Sequence, residues 1–329
     1  MRSFLAKRWF LLLLVGGVAL AALRPELLLP ATRPVRPRVV VTLALFLIAW
    51  GLDSRCLGGA LRRPLPAVGA VAVSYVAVPL LGLLAGPLMP SEDLRVGLLI
   101  TACVPCTLAS AVLWTRLAHG NEATALLVTL LTTSSSWLIT PPWLVLGTGV
   151  QVDVHLGELM RELLLFLVLP VALAQLSRAL PPVARLVTRW RSPLGLLSQL
   201  LVLSVILRAS VDARLRLDEH SAVVSAAALL IALAVCLGVH LAALAGGFWG
   251  GGLLRLDRAE RIAVAFAGSQ KTLPVALLLF EGYFQQRYPL AIVPLLFYHV
   301  GQLIVDTFIA DALLHRRPHL PELPPEAEV

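Results

Sequence analysis

The sequence predicts a polytopic all-α membrane protein of ten spans, arranged as two inverted five-helix repeats. Three observations carry this. Of the 329 residues, 58% are hydrophobic and only 14% charged, where an average soluble domain carries about 25% charged residues. Apolar runs close to the ~20 residues needed to cross a bilayer recur from one end to the other. They are continuous, without the period-two alternation of a transmembrane barrel. Two of these runs are interrupted at mid-span by proline, glycine and polar residues, and they hold the same place in each half of the chain.

The spans lie at about 9–23, 39–52, 65–87, 96–117, 122–148, 160–180, 193–208, 221–247, 259–281 and 289–314. The first follows Arg2, Lys7 and Arg8 and would resemble a signal peptide alone; ahead of nine more spans it reads as the first helix. The first, second and seventh are short for a hydrocarbon core of about 30 Å, so their helices should extend past these limits. The whole chain, 1–329, reads as one membrane unit, with repeats over 9–148 and 160–314. Residues 315–329 end in PHLPELPPEAEV, whose proline and glutamate content predicts a disordered cytoplasmic tail. With a cytoplasmic N-terminus, 16 Arg and Lys side chains fall inside and 10 outside. That bias favours both termini inside, as in a multi-pass protein of a bacterial inner membrane.

The fourth span, LLITACVPCTLASAVLW, carries Pro105 beside Thr101, Thr107 and Ser110. The ninth, VAFAGSQKTLPVALL, carries Gly268 and Pro274 around Ser269, Gln270, Lys271 and Thr272. Proline removes an amide donor and clashes with the preceding turn, and it disfavours a helical residue before it. A backbone opened this way is tolerated in a membrane only where protein or a wet cavity covers it. Ordinary kinks are the bland reading, but polar clusters at both breaks point to a binding site where the two segments meet.

Lys271 stands ten residues from both Arg261 and Glu281, out of reach of either membrane face for a snorkelling stem. An intramembrane ionisable group needs a partner or water. It reads either as part of a transport site or as an internal counter-ion, with Asp306 a candidate partner and freed carbonyls a candidate solvating shell. Gln270, able to donate and accept, makes a polar pocket with Ser269 and Thr272, or serves as a core hydrogen-bonding group. In the fifth span Thr129, Thr132 and Thr133 lie within one turn, and Thr129 and Thr133 share a face. Their hydroxyls either complete a site or bond to their own helix. His299, Gln302 and Asp306 fall roughly on one side of the tenth span. Asn121 reads as an N-cap with Glu122 at the positive helix end, and His240 as structural.

Several classes are disfavoured. The net charge of +8 sits in short arginine runs between apolar segments, a topology signal with no nucleic-acid partner. Four cysteines make no secreted disulfide scaffold. Cys103-Val-Pro-Cys106 lacks both a βαβ context for dithiol chemistry and two further soft ligands for a metal. No hydrolase, zincin or phosphate-loop pattern occurs. An enzyme is not expected. A non-transporting membrane regulator or scaffold is the alternative to a transporter, and a membrane-embedded enzyme ranks below both.

The stretch CVPCTLASAVLWTRLAHGNEATALL, the polar run after it, and AFAGSQKTLPVA followed by YPLAIVPLLFYHVGQ resemble the bile acid:sodium symporter superfamily, and within it the SBF-like sodium/bile acid cotransporter 7 branch. The resemblance covers nearly the whole chain. It implies a core domain of spans three to five and eight to ten, and a panel domain of spans one, two, six and seven. Broken helices four and nine would cross near mid-membrane, and the two domains would move against each other to alternate access. It also implies a small organic anion as cargo and, as in the sodium-coupled members, sodium as the coupling ion; no cofactor is expected, and Lys271 leaves a proton as the other coupling ion. The family's sodium ligands carry over only at Gln270 and Thr129. A glutamate ligand falls at Phe266, a serine at Ala125, and the asparagine of the fourth helix at Ala111 or Val112. The sequence thus loses a carboxylate and gains the Lys271 ammonium. That lysine either replaces an ion's charge permanently or, moving between dry and wet surroundings, binds and releases a proton.

Overall fold

A computed structural model describes residues 2–53, 57–148, 156–219 and 225–315, with side chains from residue 9 to residue 314. Every regular element among them is helical. In chain order they are α1 (Arg2–Leu23), α2 (Pro25–Thr32), α3 (Pro37–Gly51), α4 (Gly58–Arg62), α5 (Leu65–Leu88), α6 (Glu92–Cys103), α7 (Ser110–Leu117), α8 (Glu122–Thr148) and α9 (Leu156–Arg178). Then follow α10 (Pro181–Arg189), α11 (Arg191–Glu219), α12 (Ala226–Leu253), α13 (Arg258–Ser269), α14 (Leu273–Leu279, continued by a π turn over Phe280–Phe284) and α15 (Ile292–His315). Arg55, Cys56 and the predicted tail beyond residue 315 lie outside the described residues.

Among the described residues seven segments are long and apolar enough to cross a membrane: 65–88, 122–148, 156–178, 191–219, 226–253, 258–284 and 289–314. An eighth is formed if the bent pair 9–23 and 25–32 is counted. The chain is therefore an all-α multi-pass membrane protein.

Helix starts follow local chemistry. Ser91 Oγ accepts from Leu94 N at 3.3 Å and Ser225 Oγ from Ala228 N at 3.1 Å. Asn121 Oδ1 caps α8 through Thr124 N at 3.0 Å, as its sequence position predicts. Asp257 and Glu260 form a reciprocal capping box on α13. Glu122, at the first turn of α8, pairs with Arg116 at 2.6 Å.

Two of the short spans extend past their limits as expected, and a third opens at another residue than expected. The chain does not stop at Leu23 but bends by 113° into α2. The seventh helix runs to Glu219 rather than 208, because Arg208–Asp212 (2.7 Å) and Arg214–Asp218 (2.9 Å) pair one turn apart and let a charged stretch stay helical. In the ninth segment Gly268 is not the break: it lies in the last turn of α13, and the helix opens two residues later. Its missing Cβ serves packing, since a Cβ there would stand 2.8 Å from Val73 Cβ and 3.3 Å from Ala70 O.

Helix α13 sits at the centre, against α5, α8 and α12, while α15 packs on α6 and α12. The apolar window of 258–284 is 100% buried. A second set, α1, α2, α3 and α9, gathers around α11 and α3.

Candidate functional site

Between Cys103 and Ser110, and again between Ser269 and Leu273, the chain leaves the helix. The two interruptions touch: Thr272 N donates to Pro105 O at 3.1 Å. Pro274 falls in the first turn of α14, where a missing amide costs nothing. A helix that stops leaves its last carbonyls orphaned. Three carbonyls at and just past the end of α6 each have an identifiable donor. Thr140 Oγ1 donates to Cys103 O at 2.8 Å, Lys271 Nζ to Val104 O at 3.0 Å, and Thr272 N to Pro105 O.

Lys271 is 1% exposed. Its ammonium also donates to Ser74 O at 2.5 Å and Ser74 Oγ at 3.1 Å, and it stands 5.6 Å from the centre of the Tyr75 ring. Ser74 O is free for a local reason. It lies in a π turn over Val73–Ala77, where Val78 N donates to Val73 O instead of Ser74 O. The next donor along would be residue 79, which is proline and has no N–H. The peptide of Lys271 is held separately: Gln302 Oε1 accepts from Lys271 N at 2.9 Å, and Gln302 Nε2 donates to Lys271 O at 2.8 Å. The second N–H of Gln302 reaches His299 Nδ1 at 3.1 Å.

Gln270 points the other way. Its Oε1 accepts from Ser110 Oγ at 2.8 Å and Thr107 Oγ1 at 3.1 Å, and its Nε2 donates to Asp306 Oδ2 at 2.5 Å. Asp306 Oδ1 lies 2.8 Å from His240 Nε2, with both side chains fully buried. Asp306 therefore serves His240 and Gln270, and the expected Lys271–Asp306 pair is replaced by carbonyl solvation of the ammonium. Ser110 is half-buried beside an exposed Ala109, so the Thr107–Ser110–Gln270 cluster is the part of the crossing nearest the outside. Two buried polar atoms here lack a partner, His240 Nδ1 and Ser269 Oγ.

The fifth-span threonines are all buried. Thr129 Oγ1 donates to Leu126 O at 2.8 Å and Thr132 Oγ1 to Val128 O at 2.9 Å, so both spend their protons on their own helix. Tyr75 OH donates to Thr132 O at 2.5 Å, tying the π turn to α8. Cys103 and Cys106 are free and buried at the first interruption. Among the described residues no group of three or more His, Cys, Asp or Glu side chains is placed to hold a metal. Sequence reasoning missed Ser74 altogether; its signal was a proline five residues downstream in an apolar helix.

The two interrupted segments are thus joined through their backbones, with a buried ammonium and a buried carboxylate on either side, and the sequence that builds them matches a known family. The SBF-like CPA transporter family matches residues 8–315. The chain belongs to that family. It is a membrane transporter of the SBF-like group within the bile acid:sodium symporter superfamily, and the family is one of transporters rather than enzymes. Among curated relatives it is 28% identical to the probable sodium/metabolite cotransporter BASS4, chloroplastic, of Arabidopsis thaliana, over 95% of this chain and 74% of the relative. It is 29% identical to the protein of the same description in Oryza sativa subsp. indica, over 94% and 76%. To the sodium/bile acid cotransporter 7 of Danio rerio it is 24% identical, over 93% and 94%. The likeness is thus divided between two branches of the superfamily and singles out neither.

Proposed function

We propose that the chain is a secondary active transporter of a small organic anion, working by alternating access. The observation that carries this reading is the direct pairing of the two interruptions, Thr272 N on Pro105 O. Opened helices that meet at mid-membrane are where transporters of repeated architecture hold their substrates and ions. In this reading the chain has ten spans in two inverted repeats, with α6–α7 and α13–α14 as the broken fourth and ninth. Spans three to five and eight to ten form the core, and spans one, two, six and seven the panel. The preference for an anion rests on an ammonium that forms no ion pair among the described residues, on hydroxyls that line the crossing, and on relatives whose descriptions name metabolites and bile acid as cargo. Ser110 is the accessible edge of the site, with Thr107 and Gln270 buried behind it. Gln270 and Thr129 are the sodium ligands proposed if coupling is to sodium. A proton is the other coupling ion, and the termini are placed in the cytoplasm of a bacterial inner membrane.

The test is uptake by purified protein in liposomes, screened over small organic anions with a sodium gradient or a pH gradient imposed separately. Gradient-dependent accumulation of an anion supports the reading and names the coupling ion. No uptake of any anion under either gradient, from protein that remains folded, overturns it.

A further inference from the structure

The shell around Lys271 Nζ is a binding site in its own right. A primary ammonium has three N–H donors and no acceptor. Three oxygens face it: Ser74 O, Val104 O and Ser74 Oγ, at 2.5, 3.0 and 3.1 Å. The Tyr75 ring, 5.6 Å from Nζ, adds a π face. The two carbonyls do not depend on the lysine for their orientation. Ser74 O is freed by the π turn and Pro79 on α5, and Val104 O by the end of α6 at Cys103. Tyr75 is fixed by its bond to Thr132 O, and α6 by the bond from Thr140. No carboxylate pairs with Nζ among the described residues, since Asp306 is taken up by His240 and Gln270. An acceptor set built by the backbone of two elements, without a negative charge, suits a monovalent cation. Hard metal ions gather six or more oxygens; three oxygens under a ring fit –NH3⁺.

We propose that α5 and α6 form a receptor for a primary ammonium group, filled in the native protein by the chain's own Lys271 and open to a free small alkylammonium once that side chain is cut back. The native chain then needs no dissolved cation to hold α5 and α6 against the 270–272 segment. This stands whatever the protein transports, because its test uses no substrate.

Lys271→Ala removes three carbons and the amine, the size of propylammonium. The purified variant in detergent is heated with propylammonium, tetramethylammonium or sodium chloride at equal ionic strength. The expected result is a lowered unfolding midpoint that rises with propylammonium and not with the other two, while the native protein responds alike to all three. A propylammonium response no larger than the tetramethylammonium response overturns the proposal, and so does equal rescue by sodium, which would make the shell a metal site. A second measurement covers a variant that does not fold. The chain has only two lysines, Lys7 and Lys271, so acetylation of each is read directly by mass spectrometry. In the native protein Lys271 should resist a small acetylating reagent, and Ser74→Ala, which removes one of three acceptors, should speed its modification several-fold. Modification of Lys271 in folded native protein at the rate seen in denaturant overturns the proposal.

Discussion

Asp306 faces His240, not Lys271. The carboxylate and imidazole are 2.8 Å apart and both are fully buried. The other carboxylate oxygen takes the amide of Gln270. The crossing therefore holds an acidic group and a basic group that are satisfied separately, the acid by side chains of α12 and the 270 position, the ammonium by main chain of α5 and α6. Gln270 joins the two halves. It is one residue from Lys271, it is fixed by Asp306, and it presents its carbonyl to Thr107 and Ser110.

Removing Asp306 should orphan two buried donors, on His240 and on Gln270. Leaving a buried donor unmade costs about 1–3 kcal/mol. Asp306→Ala should lower stability by that amount for each donor, and Asp306→Asn by less, since one oxygen survives. Adding His240→Phe to Asp306→Ala should cost less than the two singles combined, because groups in contact couple. Chemical or thermal unfolding of the parent and these four variants, His240→Phe alone included, in one detergent reads this. Strict additivity would mean that the 2.8 Å contact carries no energy.

The part of this architecture legible in the sequence is the part that depends on apolar length. Spans 65–87 and 122–148 match helices 65–88 and 122–148: Pro64 marks the start of the first, and Asn121 caps the second. How far α11 overruns 208 is not set by apolar length, since hydropathy does not register that Arg208 and Asp212 satisfy each other one turn apart. Pro105 marked its break, for a proline cannot continue that helix. Gly268 did not mark the second, because a glycine's tolerance of close packing and its tolerance of bending look the same in sequence. The solvation of Lys271 by carbonyls follows from the breaks around it. That one carbonyl comes from Ser74 depends on a π turn set against Pro79, and α9 repeats the device with a π turn over Leu164–Val168 just before Pro170. Which acid meets which base across 66 residues, as His240 and Asp306 do, is a matter of helix packing and leaves no local signal.

Gly268 offers a test of the packing at the crossing. A methyl added there meets Val73 at 2.8 Å, against a neighbouring helix. Overpacking of this kind costs about 1–3 kcal/mol. Gly246, in the middle of α12, has nothing within 4 Å of its would-be Cβ. Gly246→Ala should therefore gain about 0.5–1 kcal/mol from lower unfolded-chain entropy. Opposite shifts of the unfolding midpoint are expected, and a stabilised Gly268→Ala would refute the close approach of α13 to α5.

Gln270 is the side chain through which a bound solute or ion at Ser110 would be felt by Asp306. Gln270→Leu keeps the volume and leaves Thr107 and Ser110 bonded to each other. Uptake of the transported anion should fall at least tenfold, about 1.4 kcal/mol or more of barrier, with a modest change in stability. Gln270→Glu should be the less stable of the two, as it sets a second carboxylate where an amide now donates to Asp306 at 2.5 Å. If uptake by the parent depends on sodium and Gln270→Leu keeps that dependence unchanged, Gln270 is not an ion ligand.

A cluster of charges lies at one end of the second helix set, where the first set meets it. Arg38, at the start of α3, pairs with Glu162 of α9 at 2.8 Å. Arg208 of α11 donates to Arg33 O at 3.1 Å, tying α11 to the end of α2. Arg216, also of α11, reaches Gln285 O and Oε1 at 3.4 Å and lies over the Phe280 ring at 5.5 Å. Gly282, in the π turn after α14, comes so close to the first pair that a Cβ would stand 3.2 Å from Glu162 Oε2 and 3.5 Å from Arg38. If core and panel separate during transport, the contacts of Arg216 with Gln285 and Phe280, and the approach of Gly282 to the Arg38–Glu162 pair, must part, since Phe280, Gly282 and Gln285 belong to one side and Arg38, Glu162 and Arg216 to the other. Arg38 is 47% exposed, so the pair contributes little to stability, on the order of 1 kcal/mol or less. Its loss should show instead in access. With Cys56 replaced by serine, Gly282→Cys should react slowly with a membrane-impermeant thiol reagent, against a low background from the buried Cys103, Cys106 and Cys236. Adding Arg38→Gln should speed that reaction several-fold with the unfolding midpoint nearly unchanged. Raising salt should act in the same direction on the parent, because exposed ion pairs are screened. Equal labelling rates with and without Arg38, at both low and high salt, would mean that the cluster does not hold this end closed.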